Sequence, residues 1–592
     1  MKRTLSLILA IIMICGAVAS CSSLEENDKG AIVTMYLSDE IYNFDPMVGF
    51  NDTATAKIIS LVFEGLTVLD EDGNWQKGMM KSYEYIEPTD EEGSYKLQIK
   101  LRDSKWSDGR TVQANDFVYA WKRIMEPTAQ CEAACLLYDV KNAYDIKMGD
   151  ATVDDLGVYA VETYVLEIEF EHAVNVDEFL KTCASVALVP LREDKVGNDS
   201  SWAKRASSMV TNGPFDVRKI IYGQQLNLER SSYYLRDTES NQALDKYVTP
   251  YRLTVYYDYG NTEKQLKAFA AGDIFYMGQL PISAREENKK NAEASDSAIT
   301  NSYYFNTNNK LFQKAEVRQA LSMAIDRQAI ADAVVFAKAA TGFIPYGVDD
   351  ANSKGDFRET ADKSGALLSV SADIDGAKKL LKEAGVTSGS FTLTVRNNEE
   401  DVYIANLVAD AWKSLGFNVK VDAMGIQAEP TTTQNQSVVY TDLYQKAFDE
   451  GNFDVIAVNY NMLAPNAFSA LAPFSAAYSG NGVDMNSENY DIYTHITGYS
   501  SEEYDAIIDE AYKETDSKKK TELLHNAEKL LLEDMPIVPV LFMQDAYLSS
   551  NVISGIKNTY WGRDFKKLSM KNYMEYKESI QEEHQEDVVA DD

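Results

Sequence analysis

The sequence predicts a mixed α/β fold, because strand-like and helix-like patterns alternate along nearly the whole chain. Apolar and polar residues alternate over residues 95–101, which is typical of a half-buried strand. Between residues 316 and 324, apolar residues recur three and four positions apart, which predicts an amphipathic helix. The chain has 592 residues, of which 45% are hydrophobic, and this length suggests roughly two to four domains.

Further elements are predicted towards the C-terminus. Ser500 and Glu503 have the spacing of a capping box, and the apolar stripe behind them predicts a helix. A second helix is predicted near residues 518–533 and ends before Met535-Pro536. Residues 537–542 then read as a short buried strand. The last stretch, residues 577–592, is rich in Glu and Asp and is predicted to be a solvated acidic tail.

The charge balance argues against two classes of partner. The chain has 57 Lys and Arg against 92 Asp and Glu, which gives a formal net charge of -35. Phosphate binding needs clustered positive charge, so we expect no nucleic acid partner. A basic patch for anionic lipid headgroups is disfavoured for the same reason.

The N-terminus predicts export. Lys2 and Arg3 precede an apolar run over residues 5–18, as in a secretory signal peptide. The following Val18-Ala19-Ser20-Cys21 resembles the lipobox of bacterial lipoproteins, in which the cysteine becomes the lipidated first residue. We therefore expect a signal peptide over 1–20, a lipid anchor on Cys21 at the outer face of the cell membrane, and a tether over 21–30. The alternative is an ordinary signal peptide with an incidental cysteine.

The sequence contains no familiar catalytic or cofactor motif. It lacks a G-x-S-x-G elbow, a Walker A loop, a G-x-G-x-x-G after a strand and an H-E-x-x-H helix. Its four His argue against a His-based metal site. We therefore expect no cofactor, no metal and no catalytic residue. A carboxylate pair suited to glycoside hydrolysis stays open, because the pairing distance depends on the fold.

Three cysteines remain after Cys21 in the exported chain. Cys131 and Cys135 are four residues apart, and Cys183 follows. One disulfide is conceivable in an exported protein, and its presence stays open. A chain of this size does not need such a crosslink, so small buried hydrophobes are the favoured interpretation.

Nine short segments stand out along the chain. They are NFDP at 43–46, VFEGL at 62–66, LRDSKWSDG at 101–109, NDFVYAWKR at 115–123, NGPF at 212–215, YYFN at 303–306 with VRQALSMAIDR at 317–327, GFIP at 342–345, FDV at 453–455 and IVPV at 537–540. Together, and in this order, they resemble one family, the extracytoplasmic solute-binding proteins of peptide ABC transporters, typified by the oligopeptide-binding protein.

This resemblance implies an α/β, two-lobed periplasmic-binding-protein-like fold with an extra N-terminal subdomain. The lobes are joined by crossing strands, and the ligand lies in the cleft between them, enclosed by hinge closure. The implied boundaries are 31–63, 191–300 and 545–576 for lobe one, 64–190 for its subdomain and 301–544 for lobe two.

Several of these motifs have a mainly structural interpretation. Trp106 and Trp121 are expected to fill a core, and residues 107–109 are expected to form a turn. Asn115 or Asp116 is expected to cap the helix that carries Trp121.

The resemblance also implies ligand-binding residues. Two backbone segments of the family pair with an extended peptide, and they match residues 49–52 and 459–461 here. Asn212 is expected to add a contact at the lobe boundary, and Phe542 to line the cleft. Phe50 and Tyr460 have an equally good interpretation as plain core residues. The implied ligand-binding set is Phe50, Asn51, Asp52, Asn212, Asn459, Tyr460, Asn461 and Phe542.

One position departs from the family pattern. Peptide binders of this family have an Asp shortly after the second segment, which pairs with the α-ammonium of the peptide, and Leu463 falls there. A buried ammonium needs a counter-charge. Either another acid such as Asp52 supplies it, or the ligand has no free amino terminus at that point.

The sequence therefore predicts a lipid-anchored receptor that captures oligopeptides or a related small solute. It would work as a monomer and deliver its ligand to a membrane permease and ATPase complex of the ABC type. An exported hydrolase, a signal-peptide sensor and a carbohydrate binder are the alternatives. The identity and length of the ligand, transport against sensing, and the role of the acidic tail stay open.

Overall fold

The structure, a computed structural model, describes residues 30–37, 41, 43–90, 93–197, 199–234, 249–257, 262–351, 355–428, 440–484 and 491–571. The predicted signal peptide, Cys21, the tether up to residue 29 and the acidic tail lie outside these residues. So does part of the predicted lobe-one segment 191–300.

The first part of the chain, up to residue 190, combines one strand of the main sheet with a smaller sheet and short helices. Its strands are β1 (Ile32–Tyr36), β2 (Thr67–Leu69), β3 (Trp75–Lys77), β4 (Met80–Ile86), β5 (Tyr95–Leu101), β6 (Val158–Glu162) and β7 (Val165–Phe170). Its helices are α1 (Pro46–Gly49), α2 (Thr53–Val62), α3 (Ala114–Met125), α4 (Ala143–Lys147) and α5 (Val176–Thr182).

The next part leads into the first long strand. Its strands are β8 (Phe215–Ile221), β9 (Gln225–Arg230), β10 (Arg252–Tyr256), β11 (Tyr276–Met277) and β12 (Glu293–Phe305). Its helices are α6 (Glu193–Val196), α7 (Thr262–Ala271) and α8 (Ile282–Asn288).

The remaining chain is the most helical part. Its helices are α9 (Ala315–Met323), α10 (Arg327–Val334), α11 (Phe357–Ser364), α12 (Ile374–Glu383), α13 (Glu399–Ser414), α14 (Leu443–Asp449), α15 (Ala467–Leu471), α16 (Glu502–Lys513) and α17 (Ser517–Asp534). Its strands are β13 (Ala337–Ala339), β14 (Gly389–Arg396), β15 (Phe417–Met424), β16 (Ile426–Ala428), β17 (Tyr440–Asp442), β18 (Val455–Asn461), β19 (Val483–Asp484), β20 (Asp491–Ile492), β21 (Ile537–Ser549), β22 (Ile553–Ser554), β23 (Lys557–Thr559), β24 (Gly562–Asp564) and β25 (Ser569–Met570).

One eleven-stranded sheet runs through the molecule in the order β15-β14-β18-β12-β21-β11-β1-β10-β9-β8, with β13 added beside β21. At one end, β14 is parallel to both β15 and β18. At the other end, β1 is parallel to both β10 and β11. A separate sheet, β4-β5-β7-β6, lies within residues 80–170. The mixed α/β architecture predicted from the sequence is confirmed.

The two halves of the main sheet are joined by β12 and β21, which are 13 residues long each and pair in antiparallel fashion. Both strands cross the boundaries implied by the sequence, β12 at residue 300 and β21 at residue 544. We use lobe one, subdomain and lobe two for the residue ranges given above, and those boundaries stay predictions.

Local sequence patterns located the elements well but misplaced two helix starts. Strand β5 and helix α9 lie where periodicity predicted them. Helix α16 is capped by Ser501, whose hydroxyl accepts a hydrogen bond from the Tyr504 N–H, so the cap predicted at Ser500 is wrong by one residue. Helix α3 begins after Gln113, and Asp116 accepts a hydrogen bond from the Gln113 N–H inside the first turn. The cap residue is therefore Gln113 and not Asn115 or Asp116, but the side chain of Asp116 contributes to capping from the third helical position.

The core confirms the structural interpretation of the tryptophans. Trp106 and Trp121 are fully buried, and their indole N–H groups donate to Asp116 and to the carbonyl of Leu188. Cys131, Cys135 and Cys183 are buried free thiols, as favoured from the sequence.

A buried ion pair ties three segments of lobe two together. Glu528 on α17 accepts hydrogen bonds from the N–H groups of Phe343 (2.8 Å) and Ile344 (2.9 Å) and from the Arg358 guanidinium on α11. Both charged side chains are fully buried. Gly342 is needed beside them, because a Cβ there would lie 2.3 Å from Arg358 Nη1. Removing one partner of such a pair leaves the other as an uncompensated buried charge.

We therefore expect Glu528→Ala to destabilise the protein by about 3–5 kcal/mol, because the Arg358 charge loses its partner. The measurement is equilibrium unfolding in urea. The control is Glu533→Ala on the same helix, where an exposed pair with Lys529 is lost at a cost of less than about 1 kcal/mol. Equal unfolding midpoints for the two variants would contradict the assignment.

Candidate functional site

A cleft lies between the two lobes over the crossing strands. The space between its walls measures about 1030 Å³, including the part that is open to solvent. Its floor is formed by β12 and β21, and its walls come from both lobes. The lining residues are Thr53, Ala54, Lys57, Gly278, Gln279, Leu280, Arg285, Ser295, Asp296, Ser297, Ala298, Ile299, Phe336, Asn398, Glu400, Asp401, Asn459, Asn461, Met543, Gln544, Asp545, Ala546, Thr559, Tyr560, Trp561, Gly562 and Arg563.

The floor is widened by an irregularity in the strand pairing. Asp296 is opposite Gln544 and Thr300 is opposite Phe542, so β12 has two more residues than β21 between these pairs. The stretch of β12 between these two pairs is residues 297–299, which line the cleft. Such bulges re-aim side chains and are common beside binding sites. The Ser297 hydroxyl fixes this one by donating to the carbonyl of Met543 at 2.8 Å.

On the lobe-one wall, two cationic side chains pair with the same carboxylate. Lys57 Nζ on α2 lies 3.2 Å from Asp545 Oδ1, and Arg563 Nη1 lies 3.4 Å from Asp545 Oδ2. Burial opposes ionisation of Asp545, but Lys57 and Arg563 outweigh it and hold the pKa of Asp545 below its usual value. This group therefore stays charged at neutral pH.

Other polar atoms on the lobe-one wall are enclosed without a hydrogen-bond partner among the described residues. These atoms are Thr53 Oγ1, Tyr560 OH, Trp561 Nε1 and Arg563 Nε. Buried polar atoms are nearly always hydrogen-bonded in native proteins, so an unpartnered group of them at one wall indicates a surface suited to a polar ligand.

The lobe-two wall contains an open strand edge. Strand β18 pairs with β12 along its whole length, from Val455 to Asn461. On its other side, β14 pairs only with Val455 and Ile456. Beyond Ile456, that edge of β18 has no neighbouring strand within the described ranges, and Asn459 and Asn461 line the cleft there.

A chain of amide hydrogen bonds leads from β12 to helix α13. Asn301 Nδ2 donates to Asn459 Oδ1, and Asn459 Nδ2 donates to Asp401 Oδ1, both at 2.8 Å. Asn398 Nδ2 donates to Asp401 Oδ2 at 2.7 Å. Burial raises the pKa of Asp401 to about 6, although the two amide hydrogen bonds oppose this shift.

Ion pairs connect the lobes on both sides of the cleft. Arg285 Nη1 of lobe one lies 2.6 Å from Glu400 Oε1 of lobe two, and this pairing lowers the pKa of Glu400 although burial opposes it. Arg396 Nη2 of lobe two lies 3.2 Å from Asp52 Oδ2 of lobe one. The lobes therefore stand closed over the cleft.

Four of the residues predicted to bind ligand lie at the cleft or directly beside it. Asn459 and Asn461 line the main cavity, and Asn51 and Asp52 line a smaller cavity that shares Asp401 and Asn459 with it. Asp52 is already engaged, because it caps α2 through the Thr55 N–H and pairs with Arg396.

The other four predicted residues lie outside the cavity lining. Phe50 and Tyr460 are buried in the hydrophobic core, and Phe542 packs against Tyr346. The side-chain amide of Asn212 accepts from the N–H of Glu64 and donates to its carbonyl oxygen, so it fixes the backbone there. Their role in ligand binding stays a prediction.

Leu463 is buried at 2% exposure, and its neighbours Met462 and Ala464 are fully buried. The loop that carries the ammonium-pairing Asp in the family therefore supplies core residues in this chain. The sequence did not identify the charged residues that line the cleft instead, which are Lys57, Arg285, Asp296, Glu400, Asp401, Asp545 and Arg563. Nothing in their local patterns marks them, because the fold brings them together from distant parts of the chain.

The described part of the chain offers neither a metal-binding cluster nor a membrane-spanning helix. No group of three or more His, Cys, Asp or Glu side chains there is arranged to hold a metal ion. No helix there is long and apolar enough to cross a membrane.

Comparison with known proteins gives concordant matches. The profile described as "Bacterial extracellular solute-binding proteins, family 5 Middle" matches residues 78–482. The oligopeptide-binding protein OppA of Bacillus subtilis is 27% identical over 577 residues, which are 93% of this chain and 96% of that protein. The structure of Listeria monocytogenes OppA bound to peptide superposes with a TM-score of 0.75 at 22% identity and covers 91% of this chain and 99% of that one. These matches confirm the two-lobed fold.

Two structures of MppA, a murein tripeptide-binding protein, bear on the closed arrangement of the lobes. The Escherichia coli MppA structure matches with a TM-score of 0.73 at 24% identity over 91% of this chain and 98% of that one. The unliganded open form of MppA matches over 91% of this chain and 97% of that one at the same identity, but with a TM-score of only 0.53. The lobes of this chain therefore stand closer to the arrangement in the first structure than to that in the open form.

The Arg396–Asp52 contact leads to a test of lobe closure. We expect Arg396→Gln to raise the ratio of open to closed molecules about two- to fivefold without ligand, because one partly buried ion pair between the lobes is lost. The measurement is the radius of gyration in solution by small-angle X-ray scattering, which should increase. The control is Lys420→Gln, which removes a pair with Asp422 inside lobe two. If both variants keep the wild-type radius, Arg396 does not hold the lobes together.

Proposed function

Because this chain belongs to the bacterial extracellular solute-binding proteins of family 5, we propose that it captures peptides and delivers them to a membrane permease and ATPase complex of the ABC type. Its place of action is outside the cytoplasm, as for the family. The protein named OppA in Bacillus subtilis, similar over 93% of this chain, is an oligopeptide-binding protein. The proposal gives this chain the same class of ligand.

The observation that carries the proposal is the open edge of β18 in the cleft. An extended peptide can add to such an edge as a further strand, because its main chain supplies the missing N–H and C=O partners. This binding mode contacts the main chain of the peptide, so it tolerates many different side chains. Asn459 and Asn461 of this edge line the cleft, whereas the carbonyl of Ala457 already accepts a hydrogen bond from the Tyr444 hydroxyl. The position inside the cleft protects the edge from pairing with other proteins.

The charges of the cleft suit a ligand with polar ends. Lys57 and Arg563 share the single carboxylate of Asp545 on lobe one, and unpartnered hydrogen-bond donors such as Trp561 Nε1 lie beside them. Asp401 lies on lobe two. A peptide has a negative carboxyl group, a positive amino group and a row of amides, which match these three kinds of partner.

Closure of the lobes would trap the peptide. Contacts such as Arg285–Glu400 form only when the lobes approach each other. A ligand shifts the equilibrium towards closure by the difference between its affinities for the closed and open states. A peptide that contacts Asn459 on one lobe and Lys57 on the other binds the closed state more tightly than the open state.

We propose that the protein is held at the outer face of the membrane by a lipid on Cys21 and works as a monomer. The support for the anchor is the order of charged, apolar and small residues before Cys21. A receptor anchored in this way keeps its ligand close to the permease.

The cleft favours a receptor over the alternative of a hydrolase. Its carboxylates Asp296, Glu400 and Asp545 are each paired with a cation, and Glu400 and Asp545 have lowered pKa values. A general acid in hydrolysis needs a raised pKa, and Asp401 in the cleft lining has such a pKa, about 6. Hydrolysis by two carboxylates also needs a second carboxylate that is free to act, and the other three are held in ion pairs. Sensing a signal peptide would use the same cleft and differs from transport only in the partner.

We expect the protein lacking residues 1–21 to bind intact peptides with a Kd near 1 µM, or about -8 kcal/mol. Native mass spectrometry of protein purified without dialysis should show a heterogeneous mass excess that fragments into amino-acid ladders.

Titration of unfolded and refolded protein with a synthetic tetrapeptide then gives the affinity. Peptide recovered after overnight incubation should be uncleaved. Cleaved peptide would support the hydrolase, and an empty protein that binds no peptide would contradict the proposal.

A further inference from the structure

Asp401 is a buried carboxylate that faces the cleft. It lies at the third position of helix α13, after the cap residue Asn398, and its exposed fraction is 8%. It lines both the main cavity and the smaller one beside it. Its carboxylate oxygens accept from Asn459 and Asn398, one amide each. Because each carboxylate oxygen has two acceptor sites, both retain acceptor capacity.

The cations near Asp401 are each bound to a different carboxylate. Arg285 pairs with Glu400, and Lys57 pairs with Asp545. Arg396 lies between Asp52 at 3.2 Å and Asp442 at 3.0 Å. Asp401 therefore has two neutral amides as its hydrogen-bond partners and no ion pair within 4.0 Å among the described residues.

A buried carboxylate without a cation is costly, because burial removes its hydration and neutral amides replace only part of it. The cost is visible in the pKa of Asp401, which burial raises to about 6. The N-terminus of α13 offsets part of this cost through the helix dipole.

We infer that Asp401 is the counter-charge for an ammonium group of the ligand, either the α-amino group of a peptide or a lysine side chain. This inference rests on the proposed function and names the part of the cleft that recognises positive charge. An ammonium group has three N–H donors, and the open acceptor sites of Asp401 lie beside the amides of Asn459 and Asn461 on the same wall. Asp401 is then a specificity-determining residue of the site.

The test uses three peptides and three proteins. The peptides are tetra-alanine with a free amino terminus, the same peptide acetylated at its amino terminus, and an acetylated tetrapeptide in which one alanine is replaced by lysine. The proteins are the wild type, Asp401→Asn and Asp410→Asn. Asp410 lies on the same helix with 72% of its side chain exposed, so its substitution removes the same charge outside the cleft. The measurement is isothermal titration calorimetry at pH 7.

We expect the wild type and Asp410→Asn to prefer an ammonium-bearing peptide over acetylated tetra-alanine by about tenfold to a hundredfold, as for hydrogen bonds to charged groups. Asp401→Asn should lose this preference while still binding acetylated tetra-alanine. Preference for the free amino terminus identifies the α-amino group, and preference for the acetylated lysine peptide identifies a side chain. An unchanged preference in Asp401→Asn, or no preference in the wild type, overturns the inference while the proposed function stands. Failure of the wild type to bind any of the peptides contradicts the proposed function itself.

The wild type offers a second readout that does not depend on how Asp401→Asn folds. Affinity for the ammonium-bearing peptide should fall as the pH falls from 7 to 5, because Asp401 becomes protonated near pH 6. Affinity for acetylated tetra-alanine should change little. Equal pH dependence for both peptides overturns the inference.

Other charged and titratable groups face Asp401. They are Glu400 on its own helix, Arg396 at the end of β14, Asp52 before α2, Tyr303 on β12 and Tyr444 on α14. Arginine and tyrosine keep their charge state between pH 5 and 7. Glu400 has a lowered pKa beside Arg285, and Asp52 is paired with Arg396. The change in affinity between pH 7 and 5 is therefore assigned to Asp401.

Discussion

The antiparallel pair of β12 and β21 is the connection on which the architecture depends. Each strand passes from one lobe to the other, so the two halves of the main sheet are held by one antiparallel pair. The pairing is interrupted where residues 297–299 bulge, and this interruption forms the floor of the cleft. The irregular middle of the pair places the ligand site where the lobes move relative to each other.

The charges of the cleft follow from the same constraint. A cleft that opens and closes must be wet in one state and largely dry in the other, so its charges need partners when it closes. Arg285 and Glu400 provide this across the cleft, as do Arg396 and Asp52. Glu528 and Arg358 satisfy the same requirement inside lobe two, where no movement occurs between them. Pairing across the lobes couples charge neutralisation to closure, whereas pairing within a lobe only stabilises the fold.

The sequence predicted what local patterns encode and missed what only the fold brings together. Periodicity located β5 and α9, but the side-chain hydrogen bonds of Ser501 and Asp116 decided where helices begin. The resemblance to a family led to Asn459 and Asn461 on the open strand edge. It gave no indication of Lys57 and Asp545, which lie 488 residues apart in the sequence and 3.2 Å apart in space. No pattern along the chain records such a pairing, because tertiary packing alone creates it.

With Asp401 as the inferred counter-charge, the binding site keeps its chemistry although Leu463 stands where the family pattern has an acid. Leu463 is part of the core, so the loop that holds it gains apolar burial and contributes no charge. Two carboxylates lie on that wall instead: Glu400 is paired with Arg285, and Asp401 is fixed by the amides of Asn398 and Asn459. Lys57 and Arg563 lie on the opposite lobe. A ligand with charges of both signs would then contact both lobes, and because these contacts form together only in the closed state, its binding energy would favour closure.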